Sequence, residues 1–252
     1  MKIMKRISLS IALIMASLFS LSAQDADYKS MTLTFAELKE VHATIPTQIA
    51  IVTSDSDAIE VSYPEAAEEY IDISVDKKDS ALIIKREKST IKSRRDSPVS
   101  EKCPIRVSIP SSSIRRILNT SDMVLHIENS QFDNWVMIAN TGTMGITGEA
   151  IEAKTKIEYY NTGTMTNHLK RHETSMLMLS NTGFLLTQGE TSASHIEQNS
   201  TGTENTDLKV SCKKLEINST GNGKIRYYGR ADSVNVASTG NATIHTSELN
   251  AE

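Results

Sequence analysis

The chain is poor in cysteine and in aromatic residues, and both shortages narrow its possible functions. Its 252 residues include two cysteines, Cys103 and Cys212, which are too few for a disulfide framework and do not resemble a metal site. Whether they pair with each other stays open. Aromatic residues make up 5% of the chain, so few side chains are available to stack on sugars.

Basic charge is also in short supply, which argues against nucleic acid as a partner. The chain has 27 Lys and Arg against 31 Asp and Glu, whereas nucleic-acid binding needs a concentrated basic surface. The one basic cluster is KREKSTIKSRRDSPVSEK, residues 85–102. We interpret it as an exposed, solvated loop; contact with an anionic polysaccharide or lipid is the alternative.

Long hydrophobic runs are missing except at the N-terminus. There, MKIMKR precedes the apolar stretch ISLSIALIMASLFSLS and then Ala23 and Gln24. This pattern predicts a secretory signal peptide over residues 1–23, cleaved after Ala23. A transmembrane anchor is the alternative, although the run is short for a span. We expect an exported protein, with periplasm, cell surface and secretion all left open.

Sequence signatures of catalysis, cofactor binding and metal binding are absent. No G-x-S-x-G elbow and no phosphate-binding glycine loop occurs. His168 and His172 have the spacing that could bind a metal with Glu173 on a helix, but no helical pattern surrounds them. We interpret that segment as a surface loop and predict no metal, no cofactor and no catalytic residues.

What the chain does have is a tripeptide, Asn-Thr-Gly or Ser-Thr-Gly, that recurs six times in its second half. Its glycines are Gly142, Gly163, Gly183, Gly202, Gly221 and Gly240, at spacings of 21, 20, 19, 19 and 19 residues. A fixed period of about 20 residues is typical of a solenoid. Because each copy follows a short run of alternating apolar and polar residues, we predict a parallel β-helix.

The repeat also predicts which side chains point inward. Aliphatic residues stand six before every glycine, and apolar residues stand four before it in every copy except the one with Gln198. The Asn or Ser two before the glycine also points inward by alternation, so it must be hydrogen-bonded, either to stacked copies of itself or to the backbone of the bend. The glycine itself would supply a positive φ or a tight backbone.

These patterns combine into one fold prediction. A degenerate copy at Asn119–Ser121 brings the total to about seven coils. Residues 28–116 are also strand-rich, and we expect them to cover the open end of the solenoid, since exposed strand edges invite aggregation. The prediction is a single all-β domain over residues 24–252, with an N-terminal β region and cap (24–116) and regular coils of 19–21 residues (117–250).

The order of these features resembles the "putative auto-transporter adhesin head domain", also called the GIN domain, of exported proteins from Bacteroidetes-type bacteria. The landmarks that carry the resemblance are Phe35 with Val41, TQIAIVTSDSDAIEVSYP, DSALIIKRE, IRVSIPSSSIRRI and then the coils, so it covers about residues 33–248. Here Asn-Thr-Gly and Ser-Thr-Gly replace the Ser-Gly-Ser-Gly-like corners usual in the family. The resemblance implies an exported, right-handed β-helix and brings no catalytic residues.

Two functions remain open on this scaffold. The first is a non-enzymatic envelope protein that is adhesin-like or binds a glycan. The second is a polysaccharide lyase or hydrolase, which would need carboxylates gathered in a groove walled by long loops. The short coils leave little room for such loops, and Glu158, Glu197 and Glu216 fall on the outward strand position. We therefore predict a protein that is not an enzyme.

A column of threonines is the candidate binding surface. It comprises Thr141, Thr162, Thr182, Thr201, Thr220 and Thr239, and we expect Tyr160 and Tyr228 to be exposed beside it. If the column faces outward, it presents a regular row of hydroxyl and methyl groups that could bind a polysaccharide, or even ice. For the protein as a whole, the partner is a polysaccharide or another envelope protein. The alternative is that threonine simply suits a strand end and repeats with the coil. Ligand and oligomeric state stay open.

Overall fold

The computed structural model describes residues 27–34, 38–53, 58–87, 97–111 and 114–250. The predicted signal peptide and half of the basic cluster, residues 88–96, lie outside these ranges. One short 3-10 turn, Glu65–Ala67, is described. Within the described ranges, no helix has the length and hydropathy needed to cross a membrane.

The described strands belong to one continuous sheet that curls into stacked coils. They are β1 (Tyr28–Thr34), β2 (Glu40–Ala43), β3 (Thr47–Val52), β4 (Ala58–Pro64), β5 (Ile71–Asp76), β6 (Ala81–Arg86), β7 (Ile105–Pro110), β8 (Arg116–Asn119), β9 (Asp122–Phe132), β10 (Trp135–Asn140), β11 (Thr143–Asn161), β12 (Thr164–Asn181), β13 (Phe184–Ser200), β14 (Thr203–Ser219), β15 (Asn222–Ser238) and β16 (Asn241–Asn250).

The second half of the chain is the predicted parallel β-solenoid, with about seven turns. From β10 to β16 each strand pairs in parallel with its successor. The register is set by the repeat, because Asn140, Asn161, Asn181, Ser200 and Ser219 align in one column. The chain bends at each Thr-Gly corner. Two outer faces meet at this corner. Face A consists of the outward side chains of the six residues before the corner, and face B consists of those of the five residues after it.

The first half of the chain continues the same stack and then ends it. Strands β2 and β3 pair in parallel with β8 and β9, and β6 and β7 pair in parallel with β2 and β3. Beyond them the direction changes, since β4 is antiparallel to β7, β1 to β4 and β5 to β6. Antiparallel strands therefore occupy the N-terminal end of the stack.

The interior follows the predicted alternation. The residues that stand six and four before each corner glycine are buried in five coils: Val136, Ile138, Ile157, Tyr159, Leu177, Leu179, Ile196, Gln198, Leu215 and Ile217. In the last coil, Val234 and Val236 at the same positions are 40% and 42% exposed, because within the described ranges no further coil stacks on them. Burial of these columns is the main stabilising contribution, as expected for stacked repeats.

The inward asparagines form a hydrogen-bonded ladder, as the alternation predicted. The side-chain amides of Asn119, Asn140 and Asn161 each donate to the Oδ1 of the next asparagine, at 2.8, 2.9 and 2.9 Å. Asn181 ends the ladder by donating to the hydroxyl of Ser200 at 3.5 Å. Each amide also donates to backbone carbonyls at its own corner and at the corner of the next coil, as Asn140 does to Gly142 and Thr164.

The corner glycines are needed for close backbone approach, and not for a positive φ. Positive φ occurs at Gly148, Gly189, Gly223 and Gly229, none of which is a corner glycine. At Gly202, by contrast, an added Cβ would lie 2.1 Å from the carbonyl oxygen of Gly183 in the preceding coil. The tight-backbone explanation is therefore the correct one, and the corners pack at a distance that only glycine permits.

Part of the interior is polar, which the alternation did not predict. Gln198 donates to Thr206 Oγ1 at 3.2 Å and accepts a short hydrogen bond from the hydroxyl of Tyr227. Thr206 in turn donates to Glu204 Oε1 at 2.9 Å. The Glu204 side chain is 1% exposed, and burial raises the pKa of its carboxyl. The exceptional Gln198 is thus one member of a buried hydrogen-bonded group that links three coils.

His172 also lies inside, so the interpretation of its segment as a surface loop was wrong. His168 and His172 are both on β12, where His168 is exposed and His172 is fully buried. His172 lies 3.4 Å from the side-chain amide of Asn167 and 3.4 Å from the carbonyl oxygen of Glu190. Its ring meets that of Tyr159 edge-on at 5.8 Å. Burial lowers the pKa of His172 to about 4.

This buried histidine should make the fold sensitive to acid. The unfolded chain binds a proton at His172 below its ordinary pKa of about 6.5, whereas the folded chain does not until about pH 4. Above the unfolded pKa, neutral His172 costs the folded state no stability. As the pH is lowered below that value, the free energy of unfolding decreases, by roughly 3 kcal/mol at pH 4. Urea unfolding at pH 7 and pH 4 measures this loss. The variant His172→Leu should lose less stability between those pH values, and an identical loss in both proteins would contradict the assignment.

Candidate functional site

The predicted threonine column lies on the outside of the solenoid, along the Thr-Gly corners. All six threonines of this threonine edge (Thr141, Thr162, Thr182, Thr201, Thr220 and Thr239) are exposed. Their backbone amides are held by the preceding coil, as in the 2.9 Å bond from Thr162 N to Asn140 O. Among the described residues, the hydroxyl of Thr141 makes a long contact of 3.5 Å with Asn119 O, and the other five hydroxyls have no hydrogen-bond partner. They are available to a ligand.

Only one of the two candidate tyrosines lies beside this edge. Tyr160 is on face A, two residues before Thr162, and its hydroxyl donates to Glu158 Oε1 at 3.3 Å. Tyr228 lies past face B, where it aligns with Lys209 and Glu248, and the guanidinium of Arg226 lies 5.0 Å from its ring centroid. Both rings are half-buried. Tyr160 can therefore contribute to binding at the threonine edge, and Tyr228 stands apart from it.

Two adjoining grooves, which sequence reasoning missed, flank residues 97–104. The sheet groove, of about 430 Å³, lies on face B and is lined by Val124, Thr143, Gly145, Thr164 and Thr166, with Pro104 and Glu101 among its other lining residues. The loop groove, of about 690 Å³, is lined by Arg86, Val99, Glu101, Lys102 and Asp122, among others. Pro46, Glu101 and Asp122 line both grooves. Their walls come from residues far apart in the sequence, so no local motif could have indicated them.

The sheet groove opens next to the threonine edge. Thr143 and Thr164 in its lining stand two residues after Thr141 and Thr162, on the other side of the corner. Both are exposed, and none of the hydroxyls of Thr143, Thr164 and Thr166 has a hydrogen-bond partner among the described residues. One continuous surface of free threonine hydroxyls thus runs from the corners into a walled groove.

A match to a known family decides the affiliation of this chain. The family described as "Putative auto-transporter adhesin, head GIN domain" matches residues 37–252. The chain belongs to this family. A comparison with curated protein sequences gave no match. The resemblance inferred from the sequence landmarks is therefore confirmed.

Solved structures support the fold of this GIN-domain protein. A putative adhesin from Bacteroides fragilis superposes with a TM-score of 0.64 at 16% identity, over 86% of this chain and 96% of that one. A "putative lipid binding protein" from Parabacteroides distasonis gives 0.50 at 14% identity, over 88% and 98% of the two chains. At these identities the likeness concerns the fold alone.

Of the three outward carboxylates of this GIN domain, Glu158 and Glu216 are ion-paired, and Glu197 accepts a hydrogen bond from the Asn199 amide at 2.7 Å. Glu158 lies 2.6 Å from Lys156 Nζ, and Glu216 lies 2.9 Å from Lys214 Nζ and 2.8 Å from His195 Nε2. The hydrogen bond from Lys214 is the main cause of a lowered pKa at Glu216. Glu197 and Glu216 align on neighbouring coils, but Met178 lies between Glu158 and Glu197 in the same column. Two of the three face A carboxylates are therefore paired with a basic side chain, and the three do not form one cluster.

Neither cysteines nor a metal cluster mark a further site in the described ranges. Cys103 is half-buried and Cys212 is buried, and both are free thiols. Burial raises the pKa of Cys212 to about 11, so this thiol is poorly reactive at neutral pH. Across the ranges that the structure covers, no group of three or more His, Cys, Asp or Glu side chains is placed to hold a metal ion.

Proposed function

We propose that this protein is an exported, non-catalytic, adhesin-like protein that binds a polysaccharide along its threonine edge. The observation that carries the proposal is the row of exposed threonine hydroxyls in six successive coils. Family membership supports the adhesin-like, non-catalytic part and export to the cell envelope. The polysaccharide is our own inference from the chemistry of the surface.

The geometry of the edge suits a long, repetitive ligand. Neighbouring strands in a sheet lie about 4.8 Å apart, so the threonines offer hydroxyl and methyl groups at short, regular intervals. Each hydroxyl can donate and accept hydrogen bonds, as sugar hydroxyls also can. Many weak contacts would share the binding energy, and the affinity would arise from their combined effect along the polymer.

The triple variant T162K/T182K/T201K tests the binding surface. It places three long charged side chains in the middle of the edge, at exposed positions, so the fold should persist while binding is lost. We expect the mature protein to bind at least one polysaccharide on a glycan array, and we expect the signal of this variant to fall by about tenfold or more. Circular dichroism checks that the β-sheet signal is unchanged.

A second triple variant with the same added charge serves as the control. S192K/S194K/S211K changes exposed serines that lie away from the edge on β13 and β14. Its binding should match that of the unmodified protein. Intact binding by the threonine variant would remove the edge from consideration, and equal losses in both variants would indicate a general charge effect.

The loop groove favours one other candidate, a polysaccharide hydrolase or lyase. Two carboxylates and two basic side chains line it, namely Glu101, Asp122, Arg86 and Lys102. Such a set could perform acid–base chemistry. Against it, Glu101 and Lys102 are exposed, whereas catalytic acids are usually tuned by burial. Release of sugars from polysaccharides by the purified protein, abolished in Asp122→Asn, would establish the enzyme and overturn the non-catalytic proposal.

A further inference from the structure

Gly145 is the one glycine in the chain that the packing of the fold does not require. At the other ten glycines, an added Cβ would lie between 1.7 and 2.4 Å from a backbone oxygen of the preceding coil. At Gly145 the nearest atom would be Thr166 Oγ1, at an ordinary 3.7 Å, and φ is not positive. Glycine inside a strand costs conformational entropy and contributes no side-chain contact. Residue 145 therefore weakens β11 without a structural need.

The position of Gly145 in the sheet groove suggests a role in ligand binding. It lies on face B, between Val124 of the preceding coil and Thr166 of the next coil, and these three residues form the floor of the sheet groove. Val124 is 47% exposed, one of few large apolar side chains in the described ranges to be so. A side chain at position 145 would project outward from the same column and fill the middle of this floor. Glycine keeps it open for a close approach.

We propose that Gly145 keeps the sheet groove open for a segment of neutral oligosaccharide, which rests on Val124 and hydrogen-bonds to the free hydroxyls of Thr143, Thr164 and Thr166. This inference rests on the proposed function and identifies the sheet groove as the place where one segment of the polysaccharide binds. The threonine edge then extends the contact to neighbouring coils.

Charge decides that the oligosaccharide is neutral. The titratable groups among the groove's described lining are the carboxylates of Glu101 and Asp122, and no basic side chain is among them. Inside the sheet groove, a uronic-acid, sulfated or phosphorylated polymer would face these two carboxylates, whereas the basic Arg86 and Lys102 line the adjoining loop groove. The hydroxyls of a neutral sugar can instead donate hydrogen bonds to the two carboxylates, since an ionised carboxylate only accepts.

The sheet itself argues against an extended peptide as the occupant. Peptides that add to a sheet need a free strand edge with unpaired backbone groups. The groove floor comes from β9, β11 and β12, and β11 pairs with β9 on one side and β12 on the other. Recognition in this groove must therefore come from side chains, which here include threonine hydroxyls, two carboxylates, the amide of Gln48 and the exposed aliphatic group of Val124.

The variant Gly145→Val tests the inference. Valine suits an outward strand position, so stability should be unchanged or slightly higher, while the filled floor should raise the Kd by at least about tenfold. Asn205→Val is the matched control, because Asn205 is an exposed residue of the same face B column, three coils along and outside the groove. The probes are hexasaccharides of glucose, mannose, galactose and N-acetylglucosamine, with polygalacturonate and dextran sulfate as anionic comparisons.

Cys103 provides a second measurement on the unmodified protein. It adjoins Pro104 in the wall of the sheet groove and is half-buried, whereas the other thiol, Cys212, is buried. A saturating neutral hexasaccharide should slow the alkylation of Cys103 by iodoacetamide several-fold and leave that of Cys212 unchanged.

The possible outcomes separate this inference from the proposed function. Binding of a neutral hexasaccharide that is weakened in Gly145→Val but not in Asn205→Val, with protection of Cys103, supports the groove. Neutral binding of equal affinity in both variants overturns the groove and leaves the proposed function standing. Binding of the anionic polymers alone overturns the neutral ligand, and the absence of any glycan binding by the unmodified protein overturns the proposed function.

Discussion

Gly202→Val should destabilise the protein by about 4 kcal/mol or more, among the largest effects expected of a single substitution. The added Cβ would lie 2.1 Å from Gly183 O and 2.6 Å from the Thr182 carbonyl carbon, so the backbones of two coils would have to separate. That separation would also strain the hydrogen bond from Thr203 N to Gly183 O, now 2.8 Å. Urea unfolding followed by circular dichroism measures the loss.

The same change at another glycine is the control. Gly145→Val adds the same side chain on the same solenoid, but at a position where its Cβ meets an atom at 3.7 Å, and its unfolding midpoint should not fall. An unchanged midpoint for Gly202→Val would mean that the corner is ordinary backbone. A large loss in both variants would mean that valine is poorly tolerated on this sheet for some general reason.

Asn161→Leu should cost about 3–5 kcal/mol, because it interrupts the corner ladder in the middle of the stack. The Asn161 amide donates to Gly163 O, Asn181 Oδ1 and Phe184 O, at 3.1, 2.9 and 2.7 Å. Its own Oδ1 accepts from Asn140 at 2.9 Å. Leucine would leave several of these buried groups unpaired, and each costs about 1–3 kcal/mol. The free energy of unfolding in urea is the measurement.

The chain itself suggests the control for that experiment. Ser200 and Ser219 occupy the same inward position in later coils, so Asn161→Ser should lose clearly less stability than Asn161→Leu. A serine hydroxyl can still donate one hydrogen bond and accept others. Equal losses in the two variants would show that side-chain volume, and not hydrogen bonding, is what the corner requires.

The sequence predicted the repeat well because its physical requirements are local. Alternation decides which side chains face inward, so the buried column from Ile138 to Ile217 and the inward Asn161 could be read directly. The corner glycines were also found, although one of the two reasons offered for them, a positive φ, does not hold. A close contact between coils involves residues about 20 apart, and no local pattern distinguishes it from a positive φ.

The candidate site was predicted less completely. The sequence indicated the threonine column but left open whether it faces outward; the structure shows all six threonines exposed. Tyr160 and Tyr228 were grouped with the edge because both were expected to be exposed, but both are half-buried and Tyr228 lies past face B, aligned with Lys209 and Glu248. His172 was misplaced because two histidines four residues apart were considered only as a helical or loop pair, whereas on a strand this spacing puts both on the same nominal side. The register shift between Asn167 and Arg171 moves His172 to the interior.

The sequence by itself determined the period, the alternation and the corners of this protein, and therefore a parallel β-solenoid with one threonine beside the glycine of every corner. These features depend on residues a few positions apart and repeat in every coil. Only the tertiary structure decided that Glu101 and Pro104 line a groove together with Val124, Gly145 and Thr166, and that Gln198, Glu204 and Tyr227 meet inside. Those contacts join segments from different coils or from outside the repeat, where side-chain packing and burial, and not local periodicity, select the partners.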